Sequence, residues 1–547
     1  MNTCFQEKEN KAAFIARLAA APVTRNPVFF VAAFIMLMLP DALFLILGRG
    51  EFPLLQFAGG FLLCYILALP ALVPYRAFRE GYKYSVLFVA LSLLAVNVYC
   101  AGMYGETLNY LHVDTVAAIR ASNPDEIREY LNTYVTAWTV LLLVASAVFL
   151  LFLFRVADIR LGHFKRLSNA ASFLLAAYLL FSVVATAVKY DEISELNMFV
   201  ILEKADLPDL REHRQNPVLE IEGGAPNDVV LVIGESFSSG HSSLYGYGKC
   251  TNPLLGRLAD EGELKVYSGA TSYATTTIPA IKSLMTAYRS EYSDSIEWYK
   301  CLTLIEVMAK AGYSTNWISN HSKRGICDNE VGLFAELCDR ERFVGNKMAG
   351  MDRTTYDESL LPLLDECIKE GSERNFYVIQ MLGSHPQFSS RYPGNYACFK
   401  AGDYSATHPE LSEESRQLLA EYDNSVLYND RVVHDIMMRF KDSDAVVIYL
   451  SDHGLDVFES SSSYIGHARK NDGESVKAAR KIPFAIYTTA KFRKMHPDCE
   501  ERIKSAVGYE FVSDCLMYSI MDIAGVKSVN GVSYSDRSLF RKECSPL

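Results

Sequence analysis

Five consecutive apolar residues, Val229 to Ile233, run into Gly234-Glu235-Ser236. A strand buried on both faces reads as such a run, and in a parallel sheet it delivers a reactive side chain at its carboxyl end. Two side chains compete for that position. Ser236 as a hydrolase nucleophile would need G-x-S-x-G, whose second glycine permits a tight elbow; here the run is Gly234-Glu235-Ser236-Phe237-Ser238, without it. Glu235 as a metal ligand would need further carboxylates and imidazoles to converge on it, and the chain supplies them. The segment "YLSDHG" places Asp452 and His453 at the end of a second apolar run. Glu235, Asp452 and His453 make an O/O/N donor set suited to zinc, with a hydroxyl as fourth ligand. A site built for Mg²⁺ would carry more carboxylates. His385 in "GSHP" and His467 in "SYIGHARK" remain for a second ion or a substrate phosphate.

The hydroxyl comes from "YATTTIPAIKSLMTA", where Thr275, Thr276 and Thr277 precede Ile278-Pro279. A hydroxyl residue at the cap and a proline in the first turn are ordinary helix-start chemistry, and they account for one threonine. The same geometry serves catalysis. A threonine there lies at the positive end of a helix, beside a metal that lowers its pKa, with free N–H groups to receive a phosphate. Plainer roles exist for the others: Asp-His-Gly as a turn with Asp capping a helix and Gly at positive φ, Glu235 as a cap, His385 closing a loop before Pro386. The candidates share one feature against those roles, since all fall at the ends of strand-like runs.

Those runs are "DVVLVIGES", "STNWISN", "NFYVIQMLGSH" and "AVVIYLSDHG"; "TLIEVMAKAG" and "SVLYNDRVVHDIMMRF" between them carry apolar residues at helical spacing. Strand alternating with helix predicts an α/β sandwich with a mostly parallel sheet, its ligand beyond the carboxyl ends of the strands. The polar residues ending the four strands are Glu235, Asn320, His385 and the Asp452-His453 pair.

The rest of the chain is of another kind. It has 547 residues, 50% of them hydrophobic, and a net charge of −11, which gives no electrostatic reason to bind nucleic acid. Nearly all the long apolar runs precede Tyr190. Five are long enough to cross a bilayer: Val28–Leu47, Phe52–Val73, Tyr84–Tyr104, Tyr134–Phe154 and Ala170–Lys189. Arg76, Arg79 and Lys83 lie between the second and third; Arg155, Arg160, Lys165 and Arg166 lie between the fourth and fifth. The positive-inside rule puts those loops and the amino terminus in the cytoplasm, and an odd number of spans exports everything after Lys189. The expected division is a five-helix transmembrane domain over 1–189, a connector over 190–227 and an exported catalytic α/β domain over 228–547. Of twelve cysteines, nine fall in the exported part, so several are expected to pair, with Cys327 and Cys338 as one plausible pair.

The segments "VVLVIGESFSSGHSSLYGYGKCTNPLL", "TTTIP", "GSHPQFSSRYP", "EYDNSVLYNDRVV" and "YLSDHG…GHARK" together resemble the bacterial phosphoethanolamine transferases. These are inner-membrane enzymes with a periplasmic domain of the alkaline phosphatase and sulfatase superfamily. The resemblance covers the chain from about Asp228, and the five-helix part with its orientation agrees. It implies Zn²⁺ as cofactor, with Glu235, Asp452, His453 and the nucleophile hydroxyl as ligands. Thr277, directly before Ile-Pro, is the choice for nucleophile, with Thr275 and Thr276 left open. His385 and His467 match residues that handle the phosphate or a second zinc, and a protonated His385 would stabilise charge or protonate the leaving group. Asn320, His321 and Lys323 fall where the family contacts substrate. The implied reaction moves phosphoethanolamine from phosphatidylethanolamine through a phospho-threonine to a cell-envelope glycolipid, either lipid A or core oligosaccharide. Ala118 and Ser122, in "VAAIRASNPDEIREYL", depart from the Asn and Thr that relatives can carry. Among competing readings, a formylglycine sulfatase lacks its C-x-P-x-R run. A teichoic-acid-type phosphoglycerol transferase, a metal-dependent phosphodiesterase and a non-enzymatic membrane scaffold are the others.

Overall fold

In the computed structural model the chain divides into two compact units, residues 1–116 with 131–206, and 117–130 with 207–547. The structure describes residues 209–288, 297–321, 323, 330–344, 355–462, 464–468 and 472–541, with isolated positions between 20 and 148. Among the described residues no helix is long and apolar enough to cross a membrane. Apart from those isolated positions, the five expected spans lie outside the described residues, as do the connector up to residue 208, Ala118 and Ser122.

The second unit is built on a seven-stranded sheet. In chain order its strands are β1 (Asp228–Gly234), β2 (Leu264–Val266), β3 (Ser314–Ser319), β4 (Arg340–Phe343), β5 (Asn375–Gln380), β6 (Ala445–Ser451) and β7 (Phe484–Thr488). Across the sheet they run β2-β7-β6-β1-β5-β3-β4. The five strands from β6 to β4 are mutually parallel, and β7 and β2 close one edge antiparallel. The sheet is therefore mixed but mostly parallel.

The central strands are buried on both faces, which is why they read as unbroken apolar runs. Val229, Leu231 and Ile233 of β1 join one core, while Val230 and Val232 join the other. β6 divides the same way, Val446, Ile448 and Leu450 against Val447 and Tyr449. The first core is closed by α2 (Thr277–Met285), α3 (Leu304–Lys310) and α6 (Leu516–Ile523); the second by α1 (Pro253–Asp260), α4 (Leu360–Lys369) and α5 (Glu413–Arg439). Helices on both faces make a three-layered α/β/α domain. Each fully buried branched side chain in these strands contributes about 1.5–3 kcal/mol by leaving water.

Register then fixes where the chemistry sits. Gly234 pairs with Ser451 and Ile233 with Gln380, so β1, β6 and β5 end at the same level. Ser319 of β3 also pairs with Gln380. The four strand-end segments singled out in the sequence thus emerge along one edge.

The cysteine pairing is a correction. Among the described residues, Cys250, Cys301, Cys338, Cys367, Cys398 and Cys499 form no disulfide, so the pairing expected of Cys338 is not made. The Cys338 thiol lies 3.7 Å from the Phe334 carbonyl, and Cys367 is buried within α4. Cys327 and Cys544 lie outside the described residues.

Candidate metal centre

Among the described residues, Glu235, Asp452 and His453 form a group whose ligand atoms all lie within 4.8 Å of one another, every member buried. Glu235 leaves the end of β1 and the Asp452-His453 pair leaves the end of β6. The Asp452 amide donates to the Gly234 carbonyl at 3.0 Å, extending the β-ladder into the site. His453 Nε2 lies 3.3 Å from Glu235 Oε1 and 3.5 Å from Asp452 Oδ2. Its other ring nitrogen, Nδ1, is 2.7 Å from the Gly454 carbonyl, which accepts from it. That bond assigns a proton to Nδ1 and leaves Nε2 as the ring atom facing the carboxylates, the atom through which a metal would bind.

Thr277 completes the group. It is the first residue of α2, and its Oγ1 donates to Glu235 Oε2 at 3.1 Å and lies 3.3 Å from His453 Nε2. Of the three threonines it is the one whose hydroxyl enters the cluster. Thr276 is the helix cap but makes no side-chain capping bond, leaving first-turn N–H groups of α2 unclaimed by it.

The group fits a divalent cation. Asp452 Oδ1 accepts from the His453 amide at 2.6 Å and the Ser236 amide at 3.2 Å, whereas Oδ2 is buried with no hydrogen-bond partner. A buried carboxylate oxygen without a donor is costly, and a cation at that point satisfies it. Titration behaviour agrees. Burial and the charge of Glu235 push the Asp452 carboxyl above its ordinary range. Burial opposes charge on His453, but the carboxylates of Asp452 and Glu235 outweigh it and lift the imidazole to about 9. Burial opposes charge on Glu235 too, yet the His453 hydrogen bond and charge hold it well below the usual carboxylate range.

His385 and His467 belong to the same neighbourhood. The His467 ring centroid is 5.1 Å from that of His453. Burial drives both His385 and His467 down to about 3, against the pull of Glu235. Both are therefore neutral imidazoles at physiological pH. The acid role expected of a protonated His385 is opposed by this burial and by the Arg391 guanidinium beside it, which donates to the His385 and Pro386 carbonyls at 3.1 and 3.0 Å.

The three residues ending β3 fare differently. Asn320 donates to the Thr355 carbonyl at 3.1 Å and to Asp357 Oδ1 at 2.8 Å, and accepts from Thr355 Oγ1 at 3.0 Å. His321 Nε2 lies 2.9 Å from the Met381 carbonyl and is near enough to Glu235 to help hold its charge. The Lys323 ammonium is paired with Glu341 and, at 3.6 Å, with Glu336. Asn320 and Lys323 thus spend their polar groups on the protein.

Two glycines make the site possible. Gly454 does not have the positive φ that a turn would ask of it; a Cβ there would lie 2.7 Å from the Lys481 carbonyl. Gly383 has φ +55°, and a Cβ would meet the Glu235 carbonyl and amide at 2.6 and 2.7 Å. Sequence reasoning misses the part played by Ser236, which sits at φ +59° and donates its hydroxyl to Glu235 Oε1 at 2.7 Å. A side chain in the left-handed region is unfavourable, so Ser236 holds the carboxylate at some cost in backbone strain. It misses Asp357 as well: its carboxylate accepts the Leu382 and Gly383 amides, each at 2.8 Å, and nothing near it in the sequence marks that role.

This fold and site define a class, and comparison with known proteins agrees. The family model described as Sulfatase matches residues 227–526, more than half of the chain, and the chain belongs to that family. Its named relatives point to one branch. The phosphoethanolamine transferase EptC of Escherichia coli O18:K1:H7 is 28% identical over 278 residues, 50% of this chain and 47% of that protein. The crystal structure of the periplasmic domain of E. coli EptC in complex with Zn is 26% identical, with a TM-score of 0.55, covering 61% of this chain and 92% of that one. The integral membrane lipooligosaccharide phosphoethanolamine transferase A of Neisseria meningitidis, 17% identical, shares the fold with a TM-score of 0.64 over 96% of this chain and 98% of its own. The chain spans about half the length of the curated relatives it matches first.

Proposed function

We propose that this chain is a zinc-dependent phosphoethanolamine transferase of the bacterial inner membrane. In this reading residues 1–189 are a five-helix membrane domain, 190–227 a connector and 228–547 a periplasmic catalytic domain. The names of its relatives support the reaction, and the five apolar segments, with a fold shared along nearly the whole chain with an integral membrane protein, support the anchor. The observation that carries the chemistry is the Thr277 hydroxyl, hydrogen-bonded to Glu235 and in reach of His453 at the start of α2.

Glu235, Asp452, His453 and Thr277 would hold Zn²⁺, which when bound lowers the hydroxyl pKa and draws electron density from the phosphoryl group. The Thr277 oxygen attacks the phosphorus of phosphatidylethanolamine. An O–P bond forms to Thr277, the bond to diacylglycerol breaks, and a proton ends on the diacylglycerol oxygen. First-turn N–H groups of α2 receive the incoming phosphate, and the helix dipole favours its charge. In the second step an acceptor hydroxyl or phosphate on a glycolipid, lipid A or core oligosaccharide, takes the group and Thr277 regains its proton. His385 and His467, neutral in the structure, serve as hydrogen-bond partners of the phosphate or as ligands of a second ion.

Peptide mass spectrometry of the full chain purified from bacterial membranes tests this. A phosphoethanolamine mass on Thr277 is expected. A phosphoglycerol mass, or an unmodified peptide in metal-replete protein that leaves phosphatidylethanolamine intact, overturns it.

A further inference from the structure

The segment "EYDNS" lies in the middle of α5, and four of its polar residues in succession are buried: Tyr422 and Asp423 fully, Asn424 and Ser425 to 1% exposure. Four consecutive residues sweep about 300° around a helix, so this turn is enclosed on nearly every side. Burying so much polarity is unfavourable unless each group is satisfied. Each is, by the segment that follows β1, by the 399–404 stretch and by Ser384. Asp423 accepts from His241 Nδ1 at 2.8 Å, Tyr247 at 2.6 Å and Tyr404 at 2.5 Å. Asn424 exchanges two hydrogen bonds with the Phe399 backbone.

Tyr422 and Ser425 face the metal centre's two loops. The Tyr422 hydroxyl donates to the Ser236 carbonyl at 2.9 Å and accepts from the Ser238 amide at 2.8 Å. It thereby closes the backbone on both sides of Phe237 and holds Ser236, the residue in the unfavourable φ region beside Glu235. The Ser425 and Ser384 hydroxyls lie 2.8 Å apart, and the Ser384 amide donates to the Glu235 carbonyl at 2.9 Å. One helical turn thus grips the loop that carries Glu235 and the loop that carries His385.

We propose that Tyr422 is a positioning residue of the metal centre, setting the Glu235 carboxylate through the Ser236–Ser238 backbone, with Ser425 bracing the neighbouring loop. This rests on reading the Glu235 group as a zinc site. A group hydrogen-bonded directly to a metal ligand, as Ser236 is to Glu235, is typically worth about 10–100-fold in affinity; Tyr422 acts one residue further out, through Ser236, and its effect is smaller.

The test is a competition titration of the purified full chain against a chromophoric chelator, with Zn²⁺ alone as the probe. Tyr422→Phe keeps the ring and removes only the hydroxyl. The zinc Kd is expected to rise several-fold, up to about tenfold, alongside the fall in the zinc-free melting temperature that the two backbone groups losing their buried partner bring. A residue serving only the core would lower that melting temperature and leave the zinc Kd at its wild-type value, and this result overturns the inference. Should Tyr422→Phe fail to fold, Ser425→Ala replaces it; a smaller rise in Kd is expected there, and an unchanged value overturns the proposal. Wild-type protein that binds no zinc would overturn the functional reading together with this one, whereas zinc binding indifferent to both substitutions overturns this one alone.

Discussion

The carboxyl ends of β1 and β6 and the carboxyl end of β3 lie on the same edge of the same sheet, and both carry polar residues. Their side chains do different work. Glu235, Asp452 and His453 turn toward one another and leave a buried carboxylate oxygen without a donor. Asn320 turns to Thr355 and Asp357, and Lys323 to Glu341 and Glu336. A polar residue at a strand end is therefore either a ligand or a tie that holds the next loop. What separates the two is whether its atoms are already satisfied by the protein.

The largest effect is expected at Thr277. Thr277→Ala should lower transfer on the order of a thousandfold or more, because a covalent step is lost. The modified peptide should vanish from the mass spectrum, and retention of activity would move the nucleophile to Thr275 or Thr276. Metal removal comes next. Dialysis against a strong chelator should abolish transfer and zinc should restore it, while Asp452→Asn should not be restored at the same zinc concentration. On the tie side, Asp357→Asn should cost about 1–3 kcal/mol of stability, since one carboxylate serves two backbone amides and Asn320. Denaturant unfolding measures this, with zinc affinity expected to stay close to wild type.

A smaller effect concerns pH. Burial opposes charge on His241, but the Asp423 carboxylate outweighs it and raises the imidazole's pKa. A raised folded-state value means the stabilisation is complete below the unfolded pKa of about 6.5 and is lost as pH rises through the folded value. His241→Gln should flatten that part of the stability profile, as measured by denaturant unfolding across the pH range. Smallest of all is Lys323→Ala, which removes a partly exposed ion pair worth about 0–1 kcal/mol. Transfer rates should stay within about twofold, as for other surface substitutions. A tenfold loss in folded protein would make Lys323 a substrate contact instead of a tie.

Much of this was legible in the sequence because strand burial and register are simple. Unbroken apolar runs announced β1, β5 and β6, and parallel pairing brought their ends level, so Glu235 and the Asp452-His453 pair were visible as a set. The hydroxyl run before Ile278-Pro279 marked the start of α2. Position within a loop was not legible. Nothing local distinguishes Asn320 from a ligand, because its partners Thr355 and Asp357 lie some 35 residues away. Burial also set the charge state of His385, which depends on its enclosure and on Arg391 rather than on its neighbours in "GSHP".

The close approach of Gly383 to Glu235, and of Gly454 to Lys481, constrains how this molecule can diverge. At both positions a single methyl group would collide with backbone, so neither can drift through a neutral intermediate while the centre stays assembled. Diversity among active descendants must accumulate elsewhere, at the exposed loops and along the outer faces of the helices. A homologous chain with a side chain at either position must have moved the facing backbone to make room for it.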